Sequence, residues 1–357
     1  MRKVARMSSE ALLRFKTVRE ARLYEELSGG WAECGVCERR CRVPPGKLGF
    51  CRTRINMDGG LYTMVYGDIS SVSANPIEKK PFFNFWPGSL ALTVGTWSCN
   101  FTCPWCQNHE ISKVPPDPRR SNFLSPETFV NIAKRNDCQG TSISFNEPTL
   151  LFEYSLDVFD LAHEAGLYNT YVSNGYMSVE ALRLLAEHHL DAIKFDMKGD
   201  AETYKKHCNA DVEVVWRNAE EAKRLGLHVE IVNLVIPTVN DRDVTFNEIA
   251  VNVRERLGFD VPLHFTAFYP AYRMTDLPRT EPKVLERAHK IALDAGLNYV
   301  YVGNVPGHVF ENTYCPRCGE LLIERDIFSV ISYRITSDRR CPKCGDEILI
   351  IGRLVER

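Results

Sequence analysis

Three cysteines lie close together in the stretch TVGTWSCNFTCPWCQNHEIS: Cys99, Cys103 and Cys106. A disulfide uses two thiols, and a closed structural zinc site uses four ligands. Soft thiolates select iron–sulfur clusters, zinc or copper(I). A four-iron cluster held by three thiolates keeps one iron open to a further ligand. The spacing therefore predicts an open iron–sulfur site, with a zinc site completed by His109 as the alternative.

Four cysteines near the C-terminus occur in two matching turns, CPRCG at 315–319 and CPKCG at 341–345. Proline after the first cysteine and glycine after the second suit a tight turn whose amides point at sulfur. We expect these turns to form one structural four-thiolate zinc site, although a rubredoxin-like iron would take the same ligands. The predicted ligands are Cys315, Cys318, Cys341 and Cys344.

A second set of four cysteines precedes the three-cysteine stretch. Its members are Cys34, Cys37, Cys41 and Cys51. Their spacing permits closure around zinc, which is the favoured interpretation, or a second iron–sulfur cluster. The two remaining cysteines, Cys138 and Cys208, are expected to be small buried residues or surface thiols rather than catalytic groups.

The overall composition narrows the class of protein. The chain has 357 residues, of which 44% are hydrophobic and 25% are charged, and its net charge is -2. Such a balance carries no electrostatic footprint for nucleic acid or an anionic membrane, and no apolar run approaches the ~20 residues that span a bilayer. The start, MRKVARMSSEALLRF, lacks the features of a signal peptide. We therefore expect a cytoplasmic protein whose clustered cysteines bind metal, the alternative being a secreted disulfide protein.

Alternating strand-like and helix-like segments follow from residue 90 onward, at the spacing of βα units. The predicted strands are 90–97, 141–146, 168–174, 192–198, 228–237, 262–270 and a weaker 298–305. The predicted helices between them are 126–136, 150–165, 178–189, 212–225, 243–257 and 281–295. We expect an α/β fold, a partial (β/α)6 TIM-like barrel with a parallel sheet.

Two cysteine-rich modules are expected to flank this barrel. The predicted domains are 1–86, an N-terminal helix and Cys-rich module, 87–308, the barrel, and 309–357, a zinc-ribbon-like module. The helix is predicted over residues 8–27, with Ser8 or Ser9 as its N-cap, because apolar residues recur there at helical spacing.

Polar residues follow the ends of successive predicted strands, where the active sites of such folds lie. The cysteine stretch follows the first strand, Asn146 and Glu147 the second, and Ser173 and Asn174 the third. Asp196 and Lys198 end the fourth strand. Turn formation explains the neighbouring glycine and proline residues, but it does not explain the charged ones. We therefore expect a ligand site at this edge of the sheet.

The CxxxCxxC spacing, with Trp105 before the last cysteine and a strand before the loop, resembles the radical SAM superfamily over about residues 90–305. Further segments resemble its pyruvate formate-lyase activating enzyme branch, and most closely the radical SAM enzyme of the AmmeMemoRadiSam system, over nearly the whole chain. These segments are NPIEKKPFFNFWPG, CPWCQNHEIS, FNEPTL, SNGY, DMKG and GNVPGH.

The resemblance implies a [4Fe–4S] cluster on the three cysteines, with S-adenosylmethionine bound to its open iron. An electron then cleaves the sulfonium, and a 5′-deoxyadenosyl radical abstracts hydrogen from a substrate. The residues that it implies around the cosubstrate are Trp105, Asn146, Glu147, Ser173, Asn174, Asp196 and Lys198. Phe145 and Asn146 stand in place of the family's glycines, and Val172 stands in place of an aspartate of the activating enzymes.

These features lead to one main hypothesis and two alternatives. The main hypothesis is a radical SAM enzyme that receives electrons from a low-potential ferredoxin or flavodoxin and acts on an unidentified substrate. The first alternative is an activating enzyme that forms a glycyl radical on a protein partner. The second is a zinc-stabilised interaction scaffold, which would not need the charged residues at the strand ends.

Overall fold

Strands and helices alternate along most of residues 7–356, the part of the chain that this computed structural model describes. The chain divides into a first unit, residues up to 74 together with 91–191, and a second unit, residues 75–90 together with 192–357. The three domains predicted from the sequence stay a prediction, and their outermost residues, 1–6 and 357, lie outside the described residues.

The first unit contains short antiparallel strands followed by parallel strands and helices. Its strands are β1 (Arg19–Glu20), β2 (Tyr24–Leu27), β3 (Trp31–Cys34), β4 (Arg42–Val43), β5 (Arg54–Met57), β6 (Gly60–Thr63), most of β7 (Ser71–Pro76) and β8 (Leu90–Gly95), β9 (Gly140–Ile143) and β10 (Tyr168–Ser173). Its helices are α1 (Ser9–Leu12), α2 (His109–Ser112), α3 (Pro126–Arg135), α4 (Phe152–Glu164) and α5 (Val179–Glu187).

The helix predicted over residues 8–27 is wrong beyond its first turn. Ser8 does cap α1, where its side chain accepts a hydrogen bond from Ala11 N. After turns and bends over residues 13–18, the segment forms β1, which pairs antiparallel with β6, and β2, which pairs antiparallel with β3. A short helix is marginal by itself, so pairing with strands later in the chain prevails.

The second unit continues the alternation and ends in a small antiparallel sheet. Its strands are β11 (Ala192–Met197), β12 (His228–Val235), β13 (Leu263–Ala267), β14 (Val300–Gly303), β15 (Thr313–Tyr314), β16 (Leu321–Asp326) and β17 (Ser329–Tyr333). Its helices are α6 (Ala201–Thr203), α7 (Val212–Arg224), α8 (Asp243–Asn252) and α9 (Pro282–Asp294). One π-helical turn each, Tyr204–Cys208 and Val253–Leu257, extends α6 and α8.

The main sheet has eight strands among the described residues, β7 to β14, and is mostly parallel. In the first unit, β9 pairs in parallel with both β8 and β10. In the second unit, β12 pairs in parallel with β11 and β13, and β13 with β14. The predicted α/β fold with a parallel sheet is confirmed, whereas its curvature into a partial barrel stays a prediction.

Residues 75–90, here called the closing segment, pack at the amino ends of β12 and β13. Glu230 is fully buried and accepts backbone hydrogen bonds from Phe83 N at 3.1 Å and Asn84 N at 2.9 Å. It also accepts from His228 Nε2 at 2.9 Å and from His264 Nε2 at 2.6 Å. Burial opposes ionisation of Glu230, but the two histidine hydrogen bonds outweigh it and lower its pKa to about 2. A buried carboxylate therefore holds the closing segment to the sheet.

The helices of residues 7–356 are too short or too polar to cross a membrane.

Candidate metal and cofactor site

The three-cysteine loop begins directly after β8. A Cβ atom on Gly95 would lie 2.8 Å from the carbonyl oxygen of Ser144, so only glycine fits where β8 ends. Ser98, the residue before Cys99, has a left-handed backbone with φ 70°. Its hydroxyl donates to the carbonyl oxygen of Cys51 at 2.6 Å. The close contact at Gly95 and the hydrogen bond of Ser98 thus fix the path of the backbone where the loop begins.

Several hydrogen-bond donors surround the first thiol of this loop. Phe101 N donates to Cys99 Sγ at 3.4 Å, and Asn174 Nδ2 lies 3.8 Å from the same sulfur. Asn100 is fully buried, and its amide nitrogen has no hydrogen-bond partner within the described residues. Burial, followed by the negative charge of Glu147, raises the pKa of Cys99 to about 12. A thiolate here would therefore need a bound metal to displace its proton.

The other members of the loop are largely enclosed. Cys103 and Trp105 are buried, and Cys106 is partly buried. Cys106 Sγ lies 3.0 Å from the hydroxyl of Ser112 at the end of α2. A thiolate at Cys106 could accept a hydrogen bond from that hydroxyl.

Glu147 joins the ends of β9 and β10. It is 3% exposed, and its Oε1 accepts from Thr149 N at 3.1 Å, from Thr149 Oγ1 at 2.5 Å and from Ser173 Oγ at 2.8 Å. Its Oε2 accepts from Asn174 N at 2.8 Å. Burial raises the pKa of Glu147, and these hydrogen bonds oppose the rise. Both carboxylate oxygens thus bind protein groups and position the end of β10.

Asn146 and Asn174 connect these strand ends to the cysteine loop. Asn146 accepts from Thr96 N at 2.9 Å and donates to the carbonyl oxygen of Ser98 at 2.8 Å. Asn174 Nδ2 donates to Asn100 Oδ1 at 2.7 Å. The structure therefore brings five predicted site residues into one hydrogen-bonded group: Cys99, Asn146, Glu147, Ser173 and Asn174.

Phe145 stands where the family pattern has a glycine, and its backbone conformation is one that glycine usually adopts. Its backbone is left-handed, with φ 68°, a conformation that glycine adopts without cost. The side-chain amide of Asn108 donates to its carbonyl oxygen. The phenylalanine therefore keeps the glycine-like turn, with a bond from the cysteine loop that helps to hold it.

In the second unit, the end of β11 carries a row of three charges on one strand face. Asp196 contacts Lys194 Nζ, and its other oxygen lies 3.3 Å from Lys198 Nζ. Burial opposes ionisation of Asp196, but the two lysine charges outweigh it and lower its pKa. Sequence reasoning missed Lys194, although residues two apart on a strand share a face.

A cavity of about 460 Å³ lies beyond the ends of β11 and β12, within the second unit. Charged side chains of both signs line it, among them Asp200, Lys206, Arg242 and Arg273. Arg242 and Asp200 form an ion pair at 2.9 Å. Sequence reasoning did not find this cavity, because its lining residues are divided between the short helix α6 with its π-helical turn and loops, without a spacing pattern.

The C-terminal cysteines form a compact four-thiol group. Cys315 Sγ lies 3.6 Å from Cys344 Sγ, and Cys318 Sγ lies 3.6 Å from Cys341 Sγ. Burial raises the pKa of Cys315 to about 12. Burial also opposes ionisation of Cys341, but the backbone N–H groups of Cys344 and Lys343 outweigh it and lower its pKa to about 7. Such spacing fits one tetrahedral metal ion.

This is the one group in residues 7–356 with three or more candidate ligand atoms within 4.8 Å of one another. The loop cysteines and His109 therefore do not form a compact single-ion site, which disfavours the zinc alternative for that loop. The predicted N-terminal ligands, Cys34, Cys37, Cys41 and Cys51, line a separate cavity in the first unit.

Comparison with known proteins gives both a family match and a relative along nearly the whole chain. Residues 94–246 match the family model of the radical SAM superfamily. An uncharacterized protein of Methanocaldococcus jannaschii is 43% identical over 336 residues, which are 94% of this chain and 100% of that protein.

More distant similarities cover parts of the chain. GTP 3′,8-cyclase of Aliarcobacter butzleri is 30% identical over 160 residues, 42% of this chain and 47% of that enzyme. A solved domain of a pyruvate-formate lyase-activating enzyme from Bacteroides vulgatus has a TM-score of 0.41 at 15% identity, over 46% of this chain and 99% of that domain.

Proposed function

Because residues 94–246 match the family model of the radical SAM superfamily, we propose that the chain cleaves S-adenosylmethionine reductively at a [4Fe–4S] cluster held by Cys99, Cys103 and Cys106. The observation that carries the proposal is the three-thiol loop at the end of β8, hydrogen-bonded to the ends of β9 and β10. When bound, the cluster supplies the electron that cleaves the sulfonium, and the resulting 5′-deoxyadenosyl radical takes a hydrogen atom from a substrate.

The surroundings of the loop fit such a cluster. Thiolate sulfur accepts hydrogen bonds, and Phe101 N and Asn174 Nδ2 are both directed at Cys99. The amide nitrogen of Asn100 is a buried donor that a bound anionic group would satisfy. The sulfur atoms of the three loop cysteines do not lie within 4.8 Å of one another, and this suits a cluster, in which each cysteine binds a different iron atom.

The protein side chains act by holding the cosubstrate in position. Glu147 fixes the backbone of Asn174, so that this amide faces the cysteine loop. We assign Asn146, Ser173 and Trp105 to the same binding region. In the second unit, Lys198, balanced by Asp196, offers a cation for carboxylate or ribose oxygens.

The partners of the reaction follow from its chemistry. A one-electron reductant of low potential is needed, and a ferredoxin or flavodoxin would supply it. The 460 Å³ cavity of the second unit, with charges of both signs, suits a polar substrate. We assign a structural zinc to the C-terminal cysteines, whose sulfur spacing suits one tetrahedral ion, although iron would take the same ligands.

The test is release of 5′-deoxyadenosine from S-adenosylmethionine by anaerobically reconstituted, reduced protein. The Cys103→Ala variant should release none and should lose iron, while its circular dichroism spectrum stays unchanged. The matched control is Cys138→Ala, which alters a buried cysteine of the same unit outside the loop. Full iron occupancy in Cys103→Ala would refute the ligand assignment. A fully loaded wild-type protein that releases nothing, with or without candidate substrates, would favour the scaffold alternative.

A further inference from the structure

Four cysteines of the first unit surround one small cavity. Three of them are buried and one is partly buried, and they are Cys34, Cys37, Cys51 and Cys41. The cavity volume is about 20 Å³, which exceeds the roughly 10–15 Å³ that one water molecule requires. The sulfur atoms of a tetrahedral zinc site lie about 3.8 Å apart, given zinc–sulfur bonds of about 2.3 Å.

The separation of these thiols differs from that of the C-terminal set. No three of the N-terminal sulfur atoms lie within 4.8 Å of one another, although all four belong to the described residues. The C-terminal set, in the same structure, has sulfur pairs at 3.6 Å. A cluster places its ligands on different iron atoms and so needs sulfur atoms further apart than a single ion does. The N-terminal set is therefore more widely spaced than one ion requires, as a cluster would need.

The surroundings of the cavity also suit a bound anion. Arg39 and Arg54 line it, and Arg54 is also paired with Glu153 at 2.7 Å. Phe50 N donates to Cys41 Sγ at 3.4 Å. Because Glu153 already balances Arg54, the guanidinium of Arg39 and the backbone N–H of Phe50 are the groups that offset part of the charge of four thiolates and a bound cluster.

We propose that Cys34, Cys37, Cys41 and Cys51 hold an iron–sulfur cluster, separate from the one on the three-cysteine loop, and not zinc. This cluster adjoins the loop on both sides of Cys99. The Cys51 carbonyl accepts the hydrogen bond of Ser98, the residue before Cys99. Arg39 Nε donates at 2.9 Å to the carbonyl oxygen of Asn100, the residue after it.

The experiment removes the loop site and asks what remains. The full-length Cys99→Ala/Cys103→Ala/Cys106→Ala variant is reconstituted anaerobically with iron and sulfide. Its iron, acid-labile sulfide and zinc are counted per chain, and its EPR spectrum is recorded after reduction. We expect about two or four iron atoms with equal sulfide, about one zinc and a cluster signal.

Two further variants and the wild-type protein decide the outcome. Adding Cys37→Ser and Cys51→Ser to the triple variant should remove the remaining iron and sulfide but not the zinc. Adding Cys138→Ala and Cys208→Ala instead should leave all three counts unchanged. A triple variant with no iron and two zinc ions, one of them lost with Cys37 and Cys51, would overturn the proposal. If the triple variant does not fold, two zinc ions per wild-type chain would overturn it, and one would support it.

The triple variant has no loop cluster, so its result does not depend on the proposed cleavage of S-adenosylmethionine. Failure of that reaction would appear only in the wild-type assay.

Discussion

Replacing Glu147 with glutamine tests whether the carboxylate positions Asn174 for the cosubstrate. Glutamine has nearly the same shape, but it offers one accepting oxygen in place of two. If this oxygen occupies the Oε1 position, the bonds from Thr149 and Ser173 remain. The new NH2 group then faces the backbone N–H of Asn174, which bonds to Oε2 at 2.8 Å in the native protein.

The expected loss of affinity follows from these two hydrogen-bond donors facing each other. A buried N–H left without an acceptor costs about 1–3 kcal/mol, and charge-assisted hydrogen bonds are worth about 1.5–3 kcal/mol each. Because Asn174 Nδ2 bonds to Asn100 and faces Cys99, moving its backbone disturbs the loop that holds the cluster. We therefore expect the affinity of the cluster-loaded variant for S-adenosylmethionine to fall by about 1–3 kcal/mol, or about 5- to 150-fold.

Anaerobic calorimetric titration of S-adenosylmethionine into cluster-loaded protein measures this directly, with iron content determined on the same samples. Glu164→Gln is the matched control, because Glu164 is exposed on α4 in the same unit and should bind as the wild type does. Glu147→Gln binding within twofold of the wild type, at full iron occupancy, would refute the reasoning. A lower melting temperature with unchanged affinity would reduce Glu147 to a structural residue.

Three further predictions concern other parts of the molecule. The pKa of Glu230 is lowered from 4.5 to about 2, which adds stability that is complete above about pH 4.5 and is lost as the pH falls toward 2. Glu230→Gln should therefore lower the free energy of urea unfolding at neutral pH by about 3 kcal/mol and flatten its acid dependence. Equal acid sensitivity in both proteins would contradict this prediction. Arg54 and Glu153 form a buried ion pair at 2.7 Å. Glu153→Leu should therefore lower the free energy of unfolding by about 3–5 kcal/mol, and adding Arg54→Leu should recover part of that loss. A double variant whose loss equals the sum of the two single losses would contradict this prediction. Cys318→Ser with Cys341→Ser should release about one zinc per chain by elemental analysis, and unchanged zinc would remove these residues from a zinc site.

The fold was predictable where local patterns decide it. The seven strands and six helices predicted between residues 90 and 305 lie within a few residues of their predicted limits, because the repeats of 2 and 3.6 residues mark buried faces directly. The short helices α2 and α6 and the C-terminal strands β15 to β17 were not predicted. The predicted cap at Ser8 was also correct, since its side chain accepts from Ala11 N at the start of α1. The helix prediction for residues 8–27 was wrong because the strands of this segment pair with residues far along the chain, such as Arg19 with Thr63, and no local pattern reveals such pairing.

The candidate site was predictable in its residue types rather than in its contacts. Spacing alone predicts Cys99 as part of a metal-ligating set, and Glu147 was expected at the site from its place at a strand end. That the Glu147 carboxylate would bond to Ser173 and to the backbone of Asn174 depends on the register of β9 and β10, which sequence does not contain. The left-handed backbone of Phe145 was equally hidden, since glycine is the usual signal for it.

The closing segment has a consequence for how the chain is made. Asn84 bonds to Tyr301 at 2.6 Å and to the carbonyl oxygen of Leu349 at 2.7 Å, and Arg325 donates to the carbonyl oxygen of Phe83 at 2.8 Å. The ribosome therefore releases this aromatic stretch long before its partners exist, while all of residues 91–191 are still to come.

Splitting the gene after codon 191 would accordingly yield a C-terminal fragment that lacks part of its own core. Such a fragment should require residues 75–90 as a separate peptide, supplied in trans, before it becomes soluble and monomeric. The second unit is in this sense a discontinuous folding unit whose assembly awaits synthesis of the last residues of the chain.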